Sequence, residues 1–405
     1  MITAVEYHRS PLRFASARAA SGRISARLGA TFSSAVTGSL APLRLVTLPE
    51  PRRPGPDWAR VRPRLSGICG KDLALLAARS SPYLSPLVSM PFVPGHEVVG
   101  ELLDDVDGLA AGTRVVIDPV LCCVARDVEM CAHCAAGHES RCDHVTAGTV
   151  SAGLQTGFCG DTGGGWSGML VAHRRQIHAV PETLPDRRAV LVEPMACAVH
   201  TVRRAEIADG ASVVIVGAGT VGLLVLLALR EFAAPGQVYV VAKHAHQADR
   251  ARTLGATDVV EPRRAARVLR RATGGSLQTP EHGSDFLLGG VDVAIECTGG
   301  SGLDSALRLV RAGGRVVLAG MPSSRVDLTP LWYRELTLVG AYASDSGGAD
   351  RHADFVDAIS LADAAALDGY VDAVYALGQW REAIGHAQEA GRLGSVKVAF
   401  DPTRD

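Results

Sequence analysis

The spacing of apolar positions changes several times along the chain, and the changes divide it into regions. From 212 to 232, SVVIVGAGTVGLLVLLALREF holds a β-branched block ending at Val216, then glycines, then leucines at helical spacing. This pattern predicts a strand, a glycine turn and a helix. QVYVVA (237–242) predicts the next strand, and ADRARTLGA the end of a helix closed by Gly255. VDVAIE (291–296), RVVLAG (315–320) and ELTLVG (335–340) predict further strands, with SALRLVRAGG a helix stopped by glycine between two of them. Strands alternating with helices imply right-handed crossovers, and so an α/β fold with a doubly wound parallel sheet over about 194–343. The preceding part, 1–193, has short apolar runs broken by Pro and Gly, as in LRLVTLPEPRRPGPDWARVRPRL, which predicts an irregular, mostly β domain. The end, 344–405, offers one helix (WREAIGHAQEAGRLG) and one closing strand (VKVAF), expected to pack back on the first domain.

Charge and composition then narrow the partners. Lys and Arg total 41 against 42 for Asp and Glu, so neither nucleic acid nor an anionic membrane is expected as the main partner. No apolar run reaches the roughly 18 to 20 residues of a membrane helix, and a cytoplasmic location is expected. One local bias lies near the start, where Arg9, Arg13, Arg18, Arg23 and Arg27 are interleaved with Ala and Ser. It imitates a transit peptide, but VEYHRSPLRF carries no apolar targeting core or cleavage signal, so residues 9–40 are read as an exposed insertion.

Gly217, Gly219 and Gly222 form G-x-G-x-x-G between the predicted strand and helix. Glycine lets the backbone turn tightly and approach a pyrophosphate, which rests on the helix N-terminus. An NAD site usually has an acid at the end of the second strand, bonding the ribose 2′-OH. Here VVAKHAHQ places Ala242 at that point, followed by Lys243, His244 and His246. With the carboxylate missing and cations in its place, NADP(H) is expected over NAD(H).

Five of the nine cysteines fall between 122 and 142, in CCVARDVEMCAHCAAGHESRC. The spacing Cys131-x2-Cys134-x7-Cys142 suits a structural zinc, with Cys123 preferred and Cys122 the alternate for the fourth ligand. A separate set comprises Cys69 in GICGKD, His96 and Glu97 in PGHEVVG, and Glu193 in VEPMACAVH. One thiol, one imidazole and carboxylates are the mixture found where zinc keeps a position open for water or substrate.

Together, GICGKD, PGHEVVG, the cysteine lobe, VEP with a histidine six residues beyond the proline, and GAGTVG resemble the zinc-dependent medium-chain alcohol dehydrogenases. The glutamate in VEP is similar to the polyol, sugar and threonine dehydrogenase branch. The resemblance implies a GroES-like catalytic domain interrupted by a Rossmann domain, and a homodimer or homotetramer acting on a small alcohol or carbonyl substrate. It further implies a catalytic zinc on Cys69, His96 and either Glu193 or Glu97, with Asp72 orienting His96. Gly217, Gly219, Thr220, Val221 and Gly222 would hold the pyrophosphate, and Lys243 with His244 the 2′-phosphate. Gly320 would border the nicotinamide, and Lys397 would lie near the cofactor. Trp166 and Tyr83 are candidate pocket residues.

The chain departs from the family in three places. Val128 stands where the first lobe cysteine is usual, and the 9–40 segment has no counterpart in a minimal member. Lys71 replaces the usual Ser or Thr two after the zinc cysteine, where it would serve as a base, a phosphate contact or a structural group. Two rival readings remain: a zinc-free enoyl or quinone reductase on the same fold, and a non-enzymatic NADPH-binding redox sensor.

Overall fold

The computed structural model describes residues 1–8, 10, 13, 15, 18, 41–322, 325–345 and 353–404. The expected insertion at 9–40 therefore lies outside the described residues, apart from Ser10, Arg13, Ala15 and Arg18. Two compact units form, one from Met1–Glu193 with Ser344–Asp405, the other from Pro194–Ala343.

The first unit begins with an antiparallel ribbon of β1 (Ile2–Tyr7) and β2 (Leu43–Leu48). Its main sheet is built on β3 (Trp58–Gly67), flanked by β4 (Val98–Leu102) and then β5 (Arg114–Ile117). β6 (Leu170–His173) pairs with β3, and β7 (Ile177–Ala179) forms the edge beside β5. Proline has no N–H for the ladder, and the β3–β4 register slips between Pro63 and Leu65. Val61, Val98, Leu102, Val115, Ile117 and Leu170 fill one face of this sheet.

In the second unit β8 (Val213–Val216), β9 (Val238–Val241) and β10 (Asp258–Val260) are parallel neighbours. A small ribbon of β11 (Ser276–Gln278) and β12 (Phe286–Leu288) precedes β13 (Val291–Glu296), β14 (Val310–Leu318) and β15 (Thr337–Gly340). The strand order β10-β9-β8-β13-β14-β15 is that of a doubly wound dinucleotide fold, whose order reverses between β8 and β13. The four residues of β8 are all buried, as expected of a central parallel strand.

One sequence expectation needs correction here. The helix Gly302–Leu309 ends without a glycine cap, and Val310, fully buried and paired with Val291, opens β14. Gly313, at φ +67°, lies inside that strand rather than closing the helix. β10 and the helix Ala353–Ala364 were not foreseen.

After that helix the chain adds β16 (Val371–Tyr375), the helix Trp380–Leu393 and β17 (Lys397–Phe400). β17 pairs with β3, so the seven-stranded sheet runs β16-β17-β3-β4-β5-β7 with β6 beside β3. Trp380, Phe400, Trp166, Phe158, Phe92 and Tyr7 share a second core in this unit. No helix among the described residues is long and apolar enough to cross a membrane.

Candidate functional site

Cys69 precedes the helix Gly70–Leu76, and its backbone N–H donates to the Asp72 carboxylate at 2.9 Å. His96 and Glu97 lie in the turn entering β4, both buried. Cys69, His96 and Glu97 each bring a ligand atom within 4.8 Å of the others. Glu193, in the first turn of the helix Val192–Ala205, is buried but not part of this close group.

Asp72 Oδ1 faces His96 Nδ1 at 3.5 Å, and both atoms are buried without a hydrogen-bond partner. Lys397, on β17, forms an ion pair with Glu97, and both side chains are almost fully buried. A Cβ on Gly67 would fall 1.9 Å from Glu97 Oε2 and 2.7 Å from Lys397 Cε, so glycine is required at that point. The Lys397 ammonium thus rests on the Glu97 carboxylate, beside the candidate zinc ligands.

The charges of this cluster do not balance by themselves. Burial, then Glu97, pushes the Cys69 thiol and the Glu193 carboxyl up. Burial likewise moves Asp72 up to about 7, and drives His96 toward its neutral form. A neutral imidazole is the ligand form, and a divalent cation among these thiol and carboxylate donors would relieve their mutual repulsion. The donor set therefore fits zinc.

Lys71 donates to Gln155 Oε1 at 2.5 Å and lies over the Phe158 ring, 4.5 Å from its centroid. That ring is 5.6 Å from the His96 ring. Gln155 and Phe158 were not singled out from sequence; nothing in LQTGFCG distinguishes them from ordinary loop residues. Of the two suggested pocket aromatics, Trp166 is fully buried core, its indole N–H donating to the Gly67 carbonyl, and Tyr83 is 80% exposed.

In the lobe, Cys123, Cys131, Cys134 and Cys142 bring their sulfurs within 4.8 Å of one another, and Cys122 stands outside that set. The backbone N–H of Cys131 points at Cys123 Sγ (3.3 Å) and that of Cys134 at Cys131 Sγ (3.5 Å). Backbone donors aimed at sulfur favour thiolates, the form that binds zinc. None of the nine cysteines is in a disulfide. Arg126, fully buried, donates to the carbonyls of Leu121, Ala147, Val150, Ser151 and Gly153, closing the loop around the lobe. Only an unremarkable arginine in CCVARDVEM marks this clamp in the sequence.

In the second unit Gly217 leaves β8 at φ +104°, and a Cβ on Gly222 would lie 1.9 Å from the Gly217 carbonyl oxygen. A Cβ on Gly219, by contrast, would meet nothing within 4 Å. That open side lies at the start of the helix Thr220–Phe232, whose N-cap has no side-chain partner. The backbone N–H groups of a helix N-terminus and open space beside them are what an approaching pyrophosphate needs. Thr220 and Val221 are the first two residues of this helix. Beyond β9, Lys243 is exposed, and the rings of His244 and His246 stack with centroids 5.8 Å apart. Burial, then Lys243 and His246, lowers His244, so this corner carries mutually repelling basic groups. Gly320, just past β14, packs so tightly that a Cβ would lie 2.3 Å from Gly299 N.

With fold and geometry in hand, comparisons with known proteins converge. The alcohol dehydrogenase GroES-like domain family matches residues 55–182, and the zinc-binding dehydrogenase family matches 220–364. D-altritol 5-dehydrogenase of Agrobacterium fabrum is 30% identical over 319 residues, covering 75% of this chain and 80% of that protein. L-idonate 5-dehydrogenase of Vitis vinifera is 29% identical, covering 71% of this chain and 74% of its own. Among solved structures, a zinc-binding dehydrogenase of Sinorhizobium meliloti 1021 bound to NADP superposes with a TM-score of 0.68 at 27% identity, over 89% of this chain and 95% of that one. The chain belongs to the zinc-dependent medium-chain alcohol dehydrogenase family, on its polyol-dehydrogenase-like side. It is an oxidoreductase acting on alcohols, with zinc and a nicotinamide cofactor.

Proposed function

We propose that this enzyme interconverts a secondary alcohol of polyol or sugar-like type and its carbonyl, using NADP(H) in preference to NAD(H), and that it works as a homodimer or homotetramer. The observation that carries the reading is the buried Cys69, His96 and Glu97 group, whose ligand atoms lie within 4.8 Å of one another. These three residues would hold the catalytic zinc, with Glu193 the alternate carboxylate. Cys123, Cys131, Cys134 and Cys142 would hold the structural one. A zinc held there would supply Lewis acidity, and a bound nicotinamide would supply the hydride donor or acceptor.

The chain's own residues set up that chemistry. Asp72 orients the His96 ring, and Lys397 compensates the Glu97 charge in a site from which water is largely removed. Lys71, steadied by Gln155 and Phe158, presents a cation where relatives place a hydroxyl. The likeness to enzymes named for D-altritol and L-idonate supports a polyol substrate. A metal-free enoyl or quinone reductase has no need of a buried thiol, imidazole and carboxylate set.

Cofactor choice rests on Ala242, Lys243 and His244. Fluorescence titration is expected to show NADPH binding at least tenfold tighter than NADH. A charge-assisted bond to the 2′-phosphate contributes about 1.5 to 3 kcal/mol, so Lys243→Ala should weaken NADPH about tenfold and leave NADH nearly unchanged. Equal affinities in the wild type would overturn the preference.

A further inference from the structure

We propose that Glu296 is a positioning residue of the cofactor site, a buried carboxylate that locks together, behind the glycine turn, the turns after β13 and β14 on which the nicotinamide half of the dinucleotide docks. The proposal rests on the dinucleotide reading of the glycine turn given above.

Glu296 ends β13 and has no exposed surface. Its carboxylate accepts from the Thr298 N–H at 2.6 Å, from the Thr298 hydroxyl, and from the Gly299 N–H at 3.2 Å. Its backbone carbonyl accepts from the N–H groups of Ala319 (3.0 Å) and Gly320 (2.9 Å). One residue thus ties the turn after β13 to the turn after β14.

The glycine turn after β8 joins the same knot. A Cβ on Gly217 would fall 2.6 Å from the Thr298 methyl, so the threonine that Glu296 holds is the wall behind that turn. A Cβ on Gly302 would lie 2.3 Å from both Glu296 Oε1 and Thr298 Oγ1, and one on Gly320 would lie 2.7 Å from Glu296 Oε2. No methyl group fits at Gly302 or Gly320 beside the carboxylate, so the turns after β13 and β14 are held in one arrangement around it. β8, β13 and β14 are adjacent in the sheet, and a doubly wound sheet binds its ligand beyond the carboxyl ends of its strands at the point where the order reverses.

The chemistry explains why this group is an acid. Among the described residues no cation pairs with Glu296, and a buried carboxylate without one is costly. N–H and O–H donors from Thr298 and Gly299 are what satisfy it. A glutamine has only one acceptor oxygen, and its NH2 would confront the Gly299 N–H, which also lies 3.3 Å from Oε2.

The test is a pair of affinities, measured by calorimetry on the full-length protein and its variants. One is for whichever of NADPH or NADH the wild type binds more tightly. The other is for the matching adenylate fragment, 2′,5′-ADP or 5′-AMP, which lacks the nicotinamide half. Glu296→Gln is expected to weaken the dinucleotide tenfold or more and the fragment less than twofold. Thr298→Val, nearly isosteric, removes one donor to the carboxylate and should move the same ratio about threefold in the same direction. A merely structural role would lower both affinities alike or neither. That outcome in Glu296→Gln, or in Thr298→Val if the first variant does not fold, overturns the proposal. A wild type that binds no dinucleotide would instead overturn the cofactor reading, and this inference with it.

Discussion

Replacing His96 with alanine is expected to lower alcohol oxidation about a thousandfold or more. The Cys69, His96 and Glu97 donors act as a set, and removing the imidazole leaves two ligands where zinc needs at least three. The Lewis acidity then lost corresponds to several kcal/mol of transition-state stabilisation, and about 4 kcal/mol is a factor of roughly a thousand. Asp72→Ala, which only frees the ring, should cost less, about 10- to 100-fold. Both variants should keep the metal of the cysteine lobe, since no lobe ligand is touched. Steady-state assays with polyol substrates and NADP⁺ check the ranking. Retained turnover in His96→Ala would remove zinc from the reaction.

Arg126→Met is expected to produce the largest loss of stability in the first unit, about 4 kcal/mol. The guanidinium reaches five carbonyls, the closest being Gly153 at 2.6 Å, and a methionine fills the volume while satisfying none of them. Each unsatisfied buried acceptor costs roughly 1–3 kcal/mol, partly recovered by relaxation and entering water. A single-point donor such as lysine cannot span this fan, so Arg126→Lys should restore little of the loss. The urea midpoint reports the stability change, and the lobe zinc should be released more readily in Arg126→Met. A midpoint shift worth less than about 1 kcal/mol would mean the clamp is dispensable.

The parts of this protein that could be read before its structure are those in which local order carries the information. The strand, glycine turn and helix at Val213–Phe232 follow from residues adjacent in sequence, because φ +104° at Gly217 and the Gly222 contact are properties of one turn. The pairing of Cys131 with Cys134 is local in the same sense. Where residues far apart compete for one position, the sequence is silent. Glu97 and Glu193 are equivalent on paper, and only β4 and the helix Val192–Ala205 decide which carboxylate reaches Cys69 and His96. Lys397 reaches Glu97 because β17 returns beside β3, a pairing between ends of the chain. The helix end at Leu309 was misplaced for a related reason. Burial of Val310 against β13 outweighs the helical pattern that runs on to the glycines. β10, at three residues, is too short to leave a period.

The central claim is that this fold carries zinc at two places, one for chemistry and one for architecture. The most direct test is zinc per chain by elemental analysis on freshly purified wild type, His96→Ala and Cys131→Ser. The account predicts a value near two for the wild type and near one for each variant. A wild-type value near one that Cys131→Ser reduces to zero would leave Cys69, His96 and Glu97 without metal, and would contradict zinc-dependent alcohol chemistry at that site.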